Sequence, residues 1–267
     1  MNHLNAFKEV TMPDGAKWRR IKTDKVEILL TGAARNFFKQ NKGLFTEVIP
    51  GNLQPVTKHV LKTTRKITKL LRAGKDKNQI EELEFIASGQ NADFFRIQGT
   101  KIGLRELKAN GEVPDPTIEK LERMDKIQEI MESGEIPRWI HVPVHFGAFI
   151  MPPDSTSNKG REFLLMEVVD HGVTGEDLKR AAKKEPERFP GAEKAVIEEF
   201  GDENLEGLLV DMENQIDEAM TILQSACIKR RENFRQLFMD YNRKNIVIQY
   251  LKPPVGTKKM GFWIIDQ

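Results

Sequence analysis

The sequence lacks several features that would define common classes of protein. Cys227 is its only cysteine, so no disulfide can form within the chain and a metal site built from several thiolates is excluded. No apolar run approaches the roughly 20 residues that cross a bilayer. The N-terminus also lacks the hydrophobic core of a secretory signal. We therefore expect a globular cytoplasmic protein, because a single thiol suits a reducing compartment.

The chain has little net charge, but its charges are unevenly distributed. The formal net charge is +2 over 267 residues. Residues 1–110 hold 21 basic against 11 acidic residues, whereas residues 111–267 hold 21 against 29. Two interpretations stay open. Either the basic part binds an anionic partner such as nucleic acid, phospholipid or an acidic protein face, or the two parts attract each other.

Residues 1–80 are predicted to form a basic N-terminal extension with one amphipathic helix. The helix is indicated by QPVTKHVLKTTRKITKLLRAG, which has Pro55 near its start, Gly74 at its end and apolar residues at helical spacing. Its other faces are basic, which is typical of a solvated helix packed on a neighbouring domain and also of an anion-binding surface. The first 50 residues match no motif.

Beyond residue 80 the pattern changes to strand-like runs. Three runs come first, EFIASG, DFFRIQG and KIGLREL, and a helix follows in DPTIEKLERMDKIQEIMESG. Two more strands are indicated by HVPVHFGAFIM and REFLLMEVVD. This order predicts a five-stranded antiparallel sheet with one inserted helix over residues 81–169. Residues 170–267 are mostly helical up to two final strands, so the predicted fold class is α+β.

Three oxygen-bearing side chains interrupt the apolar end of the chain. Asp240 and Asn245 are separated by four residues in DYNRKN, the apolar run NIVI follows, and Asp266 ends the next apolar run, WIID. Phosphoryl transfer needs a carboxylate that orients a hydroxyl and hard oxygen ligands for Mg²⁺. Together with IASGQNADFFRI and FLLMEVVDHG upstream, these segments resemble the protein kinase-like superfamily.

The resemblance implies a small lobe over residues 81–169 and a partial, mostly helical large lobe over residues 170–267. The hairpin IASGQNADFFRI is similar to the glycine-rich phosphate loop, with Gly89 as its central glycine. Gln90, Asn91 and Ala92 would complete the ATP-binding turn. Small residues suit this position because main-chain amides must approach phosphate oxygens.

The strand KIGLREL aligns with the family's phosphate-binding strand and places Arg105 where the family has lysine. Arginine keeps the charge but has a wider, planar head. A different register would offer Lys101 or Lys108, and Arg105 would otherwise be a surface charge on an edge strand. The resemblance implies a glutamate partner on the next helix, for which Glu122 is the first candidate and Glu119 the second. The buried stripe of that helix is predicted as Ile118, Leu121, Met124 and Ile127.

The segment FLLMEVVDHG is similar to the family's hinge. The resemblance implies that Met166 lies behind the adenine pocket and that the main chain of Glu167 and Val169 binds the adenine edge. In the catalytic loop, Asp240 would orient the acceptor hydroxyl, while Asn245 and Asp266 would bind Mg²⁺.

The resemblance covers residues 84–267 and implies ATP-dependent transfer of the γ-phosphate to a hydroxyl, with a protein Ser or Thr as the favoured acceptor. Two alternatives stay open, a pseudokinase that acts as a nucleotide-binding or interaction module and a basic nucleic-acid-binding protein. Phe238 and Asn242 depart from the catalytic loop, which usually has histidine and lysine there, and Asn242 keeps a small-molecule acceptor open. The chain ends one residue after Asp266, so we expect either a fragment or a truncated kinase.

Three other reactive side chains are given structural roles. His141 and His145 are four residues apart in a predicted strand and would share a face, but no third metal ligand accompanies them. They are interpreted as packed or surface histidines. Cys227 precedes a basic run in a predicted helix and is not interpreted as a nucleophile.

Overall fold

A computed structural model describes residues 8–12, 15–22, 27–32, 53–88, 92–107, 117–153, 160–183, 191–201, 204–239, 241–255 and 258–265. The chain divides into two compact units, Met1–Asp125 with Val144–Val168 and Lys126–Pro143 with Val169–Gln267. Helices and mainly antiparallel sheets occur together, so the α+β class expected from the sequence is confirmed. Within the described ranges, no helix is both long enough and apolar enough to cross a membrane.

The described residues form six helices, two short 3₁₀ helices and twelve strands. The helices are α1 (Leu53–Arg72), α2 (Thr117–Met131), α3 (Gly175–Ala182), α4 (Ala192–Phe200), α5 (Leu205–Lys229) and α6 (Phe234–Leu237). The 3₁₀ helices are Lys77–Gln79 and Arg243–Asn245. The strands are β1 (Lys8–Thr11), β2 (Lys17–Lys22), β3 (Glu27–Leu30), β4 (Leu83–Ser88), β5 (Ala92–Ile97), β6 (Ile102–Leu107), β7 (Ile140–His141), β8 (His145–Met151), β9 (Arg161–Glu167), β10 (Val173–Thr174), β11 (Ile246–Val255) and β12 (Lys258–Ile264).

The sheet of the first unit has eight strands in the order β1-β2-β3-β8-β9-β6-β5-β4, and all neighbours are antiparallel. The expected group of three strands, one helix and two strands is present as β4, β5, β6, α2, β8 and β9. The expected total of five strands is wrong, because β1, β2 and β3 extend the sheet beyond β8. The side chains of β3 are mostly buried, which suits an interior strand that pairs on both sides.

A helix covers each face of this sheet. On one face, Ile67 of α1 belongs to a buried core that includes Leu104 of β6. On the other face, Leu121 of α2 packs in a second core with Leu164 of β9. Side chains of a strand alternate between the two faces. Consecutive residues of β6 therefore face different helices.

The sheet of the second unit is smaller and has the order β10-β11-β12-β7, with β12 and β7 parallel. The run that begins at His141 is not one strand, because its start forms β7 here and its end forms β8 of the eight-stranded sheet. Ile248 and Phe262 are buried in β11 and β12. Side-chain caps account for the starts of three described helices, Thr174 for α3, Asn204 for α5 and Asn233 for α6.

Candidate functional site

The strands β4 and β5 form the hairpin that the sequence predicts to carry the phosphate loop. Ala92 begins β5, is buried and pairs with Leu107 of β6. Gly89, Gln90 and Asn91, which connect the two strands in the sequence, lie outside the described residues. The two strands that flank the predicted loop are therefore β4, at the edge of the sheet, and β5, in its interior.

Arg105 lies in β6, which pairs with β5 on one side and β9 on the other. Its side chain is only 6% exposed, and its guanidinium carbon lies 5.5 Å from the centroid of the Phe94 ring. Arginine is well suited to such stacking, since its planar cation is weakly hydrated. A surface position on an edge strand is therefore wrong for Arg105. Of the alternative cations, Lys101 precedes β6 and Lys108 lies outside the described residues.

Glu122 and Glu119 differ in burial on α2. Glu122 is half-buried and its Oε1 atom is shielded from solvent, whereas Glu119 is exposed. Leu121, next to Glu122, packs in one core with Leu164, the residue that pairs with Arg105 across β6 and β9. The helix and the Arg105 side chain thus share one face of the sheet. Burial favours Glu122 over Glu119 as the candidate partner of the cation.

The predicted hinge lies at the end of β9. The Met166 side chain is buried, and Met166 pairs with Gly103 of β6. The Glu167 N–H donates to the Val144 carbonyl at 2.8 Å, and the Glu167 carboxylate accepts from the Val144 N–H at 3.2 Å. Among the described residues, the main chain of Val169 has no hydrogen-bond partner. Its N–H and carbonyl are therefore not used by those residues.

Gly103 belongs to this part of the chain and was not singled out from the sequence. A Cβ at this position would lie 3.1 Å from Cγ2 of Val168 and 3.5 Å from Cγ of Met166. Gly103 precedes Arg105 by two residues, so both face the same side of the sheet. The absence of a side chain lets the end of β9 approach β6, where the Val168 N–H donates to the Lys101 carbonyl at 2.9 Å. Side chains alternate between the two faces of a strand, so a candidate at Arg105 indicates that position 103 lies on the same face. This spacing is the sequence signal that would have indicated Gly103.

Asn245 ends the second 3₁₀ helix and directly precedes β11. The Ile265 N–H donates to the Asn245 carbonyl at 2.7 Å, which continues the pairing of β11 with β12. Asp266 follows Ile265 in the sequence, and Asp240 precedes Asn245 by five residues. Both aspartates lie outside the described residues. The hairpin thus brings Asn245 next to the residue that leads into Asp266.

The predicted magnesium ligands are an amide oxygen from Asn245 and a carboxylate from Asp266. Hard oxygen ligands of this kind suit Mg²⁺, which usually keeps several water ligands as well. In the part of the chain that the structure describes, no group of three or more His, Cys, Asp or Glu could hold a metal ion. The magnesium site predicted from the sequence would therefore depend on Asp266, which lies outside the described residues.

The segment before β11 is held by contacts that the sequence analysis missed. The Tyr241 hydroxyl donates to the Ile216 carbonyl of α5 at 2.8 Å, and Nη2 of Arg243 lies 2.5 Å from Oε1 of Glu213 on the same helix. Phe238, at the position where the resemblance implies a histidine, is buried. The residues after position 240 are therefore held by helix α5, and Phe238 before it is held by apolar packing.

Replacing Tyr241 with phenylalanine is expected to change how stability depends on pH. Burial, and to a lesser extent the negative charge of Asp217, raise the pKa of the Tyr241 hydroxyl in the folded protein. Tyr241 of the unfolded chain ionises near pH 10, whereas the buried hydroxyl stays protonated. Below pH 10 this difference does not affect the free energy of unfolding, and above pH 10 it lowers that free energy by about 1.4 kcal/mol per pH unit. The variant should lack this part of the slope and lose about 1 kcal/mol at pH 7 with the hydrogen bond. Urea unfolding at pH 7 and between pH 10 and 11 measures both effects.

The matched control for this experiment is Tyr250→Phe, because Tyr250 is the other tyrosine of the chain. An equal change of slope in the Tyr241 and Tyr250 variants would contradict the role of the Tyr241 hydroxyl. A Tyr241→Phe slope identical to that of the unmodified protein would contradict it as well.

The two histidines occur in different sheets, and His145 is the strand partner of Met166. The His141 ring stacks on Trp263 in the second unit, with ring centroids 4.7 Å apart, whereas His145 is buried in β8 of the first unit. The expectation that they share one strand face is wrong, and both are packed side chains. Burial, followed by the nearby charge of Glu232, raises the pKa of the Cys227 thiol, which disfavours the reactive thiolate.

Of the candidate residues, the first unit contains Ala92, Arg105, Glu122, Met166 and Glu167, and the second contains Val169 and Asn245. A scan against protein-family models found no match, and a search of the curated proteins found no significant match either.

Proposed function

We propose that this chain is an ATP-dependent phosphotransferase of the protein kinase-like type, with a protein Ser or Thr hydroxyl as the favoured acceptor. The observation that carries the proposal is the hydrogen bond from the Ile265 N–H to the Asn245 carbonyl. It joins the strand that leads into Asp266 to the residue that ends the Asp-x₄-Asn segment beginning at Asp240. The arrangement supports a shared role for the two aspartates and the asparagine.

In the proposed reaction, the acceptor oxygen forms a bond to the γ-phosphorus of ATP while the bond to the β-γ bridging oxygen breaks. The electron pair of that bond leaves with ADP, and Asp240 orients the hydroxyl and accepts its proton. Asn245 and Asp266 would hold Mg²⁺, which neutralises charge on the phosphate oxygens. Positioning and charge stabilisation carry most of the catalysis in phosphoryl transfer, so these few polar groups suffice.

The first unit supports the proposal with a buried cation. Arg105 is enclosed on an interior strand and stacked on Phe94, which restricts its position. It would bind phosphate oxygens as the family's lysine does, with Glu122 as its partner. Main-chain amides of residues 89–92 would contact the same phosphates.

The end of β9 supports adenine binding. The main chain of Val169 is not used by the described residues, so it offers a donor and an acceptor. It would bind the adenine edge, as the resemblance implies, whereas the Glu167 N–H already donates to the Val144 carbonyl. Gly103 on the neighbouring strand lets Met166 pack closely against β6.

Two alternatives differ from this proposal in what they bind. A pseudokinase would bind nucleotide without transfer, and the arginine at position 105 favours it. A nucleic-acid-binding role is favoured by the exposed face of α1, where Lys62, Arg65 and Lys69 make no ion pair with a described residue. Ile67 and Leu71 of α1 pack in the core of the sheet, so among the described side chains these three basic residues are left on the exposed side of the helix. Such a surface would attract an anionic partner.

Binding of Mg·ATP is expected to raise the thermal unfolding midpoint. A ligand at about 100 times its dissociation constant stabilises the folded state by about 2.7 kcal/mol. Asp266→Ala should remove most of this shift, whereas Asp211→Ala, at an exposed position of α5, should retain it. The shift is measured by thermal denaturation with and without Mg·ATP.

An unchanged midpoint in a well-folded protein would contradict both nucleotide-binding hypotheses. If nucleic acid then binds with a steep dependence on salt that ATP does not alter, the third hypothesis is supported. A midpoint that rises without any phosphate transfer would favour the pseudokinase.

A further inference from the structure

A partly buried ion-pair network lies on the face of the sheet opposite to Arg105. Glu106, the next residue, is 6% exposed, and its Oε1 accepts hydrogen bonds from Nε and Nη2 of Arg161 at 2.7 and 2.6 Å. Its Oε2 accepts from Nζ of Lys77 at 2.9 Å, and the same Nζ contacts Oδ2 of Asp93 at 2.5 Å. We call Lys77, Asp93, Glu106 and Arg161 the charge brace. It contains two cations and two carboxylates, so it is neutral as a whole.

The charge brace connects three neighbouring strands to the N-terminal part of the chain. Asp93 lies on β5, Glu106 on β6 and Arg161 on β9, while Lys77 begins the 3₁₀ helix that follows α1. Asp93 and Glu106 are direct partners in the register of β5 and β6. Like charges in that arrangement repel each other, so the cation between them stabilises the pairing.

Lys77 remains charged in this half-buried setting. Burial alone would lower the pKa of Lys77, but the hydrogen bonds from Lys77 to Asp93 and Glu106 outweigh burial and raise it. The ammonium group also lies 5.4 Å from the centroid of the Phe95 ring. Removing this side chain would leave two opposed carboxylates with Arg161 as the remaining cation of the brace.

The residues of the candidate phosphate site alternate with those of the brace. Phe94 follows Asp93, and Arg105 precedes Glu106, so both point to the opposite face of the sheet. Phe94 and Arg105 are partners in the register of β5 and β6, and the guanidinium lies over the ring. The brace therefore fixes the main chain of the two strands at the positions that present Arg105.

We infer that Lys77 is a positioning residue for phosphate binding, which acts through Asp93 and Glu106 on the strands that present Phe94 and Arg105. The inference rests on the proposed function and extends it, because it makes a residue of the predicted N-terminal extension part of the ATP site. A purely structural brace would affect stability alone. A positioning brace also affects the binding of the ATP phosphates, and it leaves the affinity for adenosine unchanged.

The test compares binding of Mg·ATP and adenosine to the full chain by calorimetry. Lys77→Met is expected to weaken Mg·ATP binding by about tenfold, or about 1.4 kcal/mol, while adenosine binding stays the same because adenosine has no phosphate. Lys77→Arg should restore most of the affinity, because it keeps the charge between the carboxylates. Lys66→Met is the matched control, since Lys66 is an exposed lysine of α1 that also pairs with a carboxylate, that of Glu82. It should leave both affinities unchanged.

A double-mutant cycle links the effect to Arg105. In an Arg105→Met background, Lys77→Met should cause no further loss of Mg·ATP affinity, because coupled residues are non-additive. An equal tenfold loss in that background would overturn the inference. If Lys77→Met does not fold, Asp93→Asn makes the same comparison, because it weakens one of the two contacts of Lys77.

The outcomes separate the inference from the function on which it rests. If the unmodified chain does not bind Mg·ATP, the proposed function is overturned and the positioning role with it. If the unmodified chain binds Mg·ATP and Lys77→Met lowers the thermal midpoint without changing the ratio of ATP to adenosine affinity, the positioning role alone is overturned. A changed ratio with rescue by arginine supports it.

Discussion

Replacing Asp240 with asparagine is expected to lower the rate of phosphate transfer by about 10²- to 10⁴-fold, the range that general-base groups contribute. Asparagine has nearly the same size and can still accept a hydrogen bond from the hydroxyl, but it cannot take up its proton. Asp240 is not assigned as a metal ligand, so Mg·ATP affinity should change little. Transfer is measured with γ-labelled ATP, to the chain itself and to casein as a hydroxyl-bearing acceptor.

The two metal-ligand positions provide a contrast to this variant. Asn245→Ala and Asp266→Ala should lower the transfer rate and Mg·ATP affinity together, because both would remove an oxygen ligand. Asp211→Asn, which changes an exposed carboxylate of α5 to an amide, should leave transfer unchanged. Undiminished transfer by purified Asp240→Asn would show that Asp240 is not the base. Transfer that is absent from the unmodified chain as well would favour the pseudokinase.

The part of the fold that the sequence predicts is local and periodic. Strands β4, β5, β6, β8 and β9 have alternating or continuous apolar side chains, and α2 has helical spacing between turn residues. Leu121, Met124 and Ile127 are buried as predicted. Ile118 is 38% exposed, because it lies in the first turn of α2, where Thr117 is buried instead and its hydroxyl donates to the Glu162 carboxylate.

The part that the sequence does not predict depends on contacts between distant residues. Strands β1 and β3 have four residues each, too short to give a clear period. The strand β3 joins the sheet by pairing Glu27 with Ile150, which are more than 100 residues apart. A short strand can be identified only when its partner is known, so the sheet was expected to end at β8.

The candidate site shows the same division between spacing and long-range contact. The spacing of Asp240 and Asn245 and the strand after them are visible in the sequence, and β11 and β12 occur where two strands were expected. The hydrogen bond from Tyr241 to Ile216 and the contacts of Lys77 with Asp93 and Glu106 have no periodic signal. They depend on how separate elements pack, which spacing along the chain does not determine.

Replacing Phe149 with alanine is expected to cause the largest loss of stability. Phe149 of β8 is 0% exposed and stacks on Phe163 of β9, with ring centroids 4.3 Å apart and an interplanar angle of 11°. Removing a fully buried ring loses its transfer free energy and leaves a cavity, which together cost about 3–5 kcal/mol. Because whole domains are stable by about 5–15 kcal/mol, the variant should unfold at a much lower urea concentration.

The control is Phe85→Ala on the edge strand β4. Phe85 is 51% exposed and meets the Phe95 ring edge to face at 5.6 Å, so its truncation should cost much less. Urea unfolding followed by circular dichroism compares the two variants with the unmodified chain. Equal losses would contradict the placement of Phe149 at the centre of the sheet.

Since β9 continues from Phe163 to Met166 and Glu167, the Phe149 variant should also weaken Mg·ATP binding under conditions where it remains folded. A loss of stability with unchanged Mg·ATP affinity would show that the end of β9 is held independently of this ring stack.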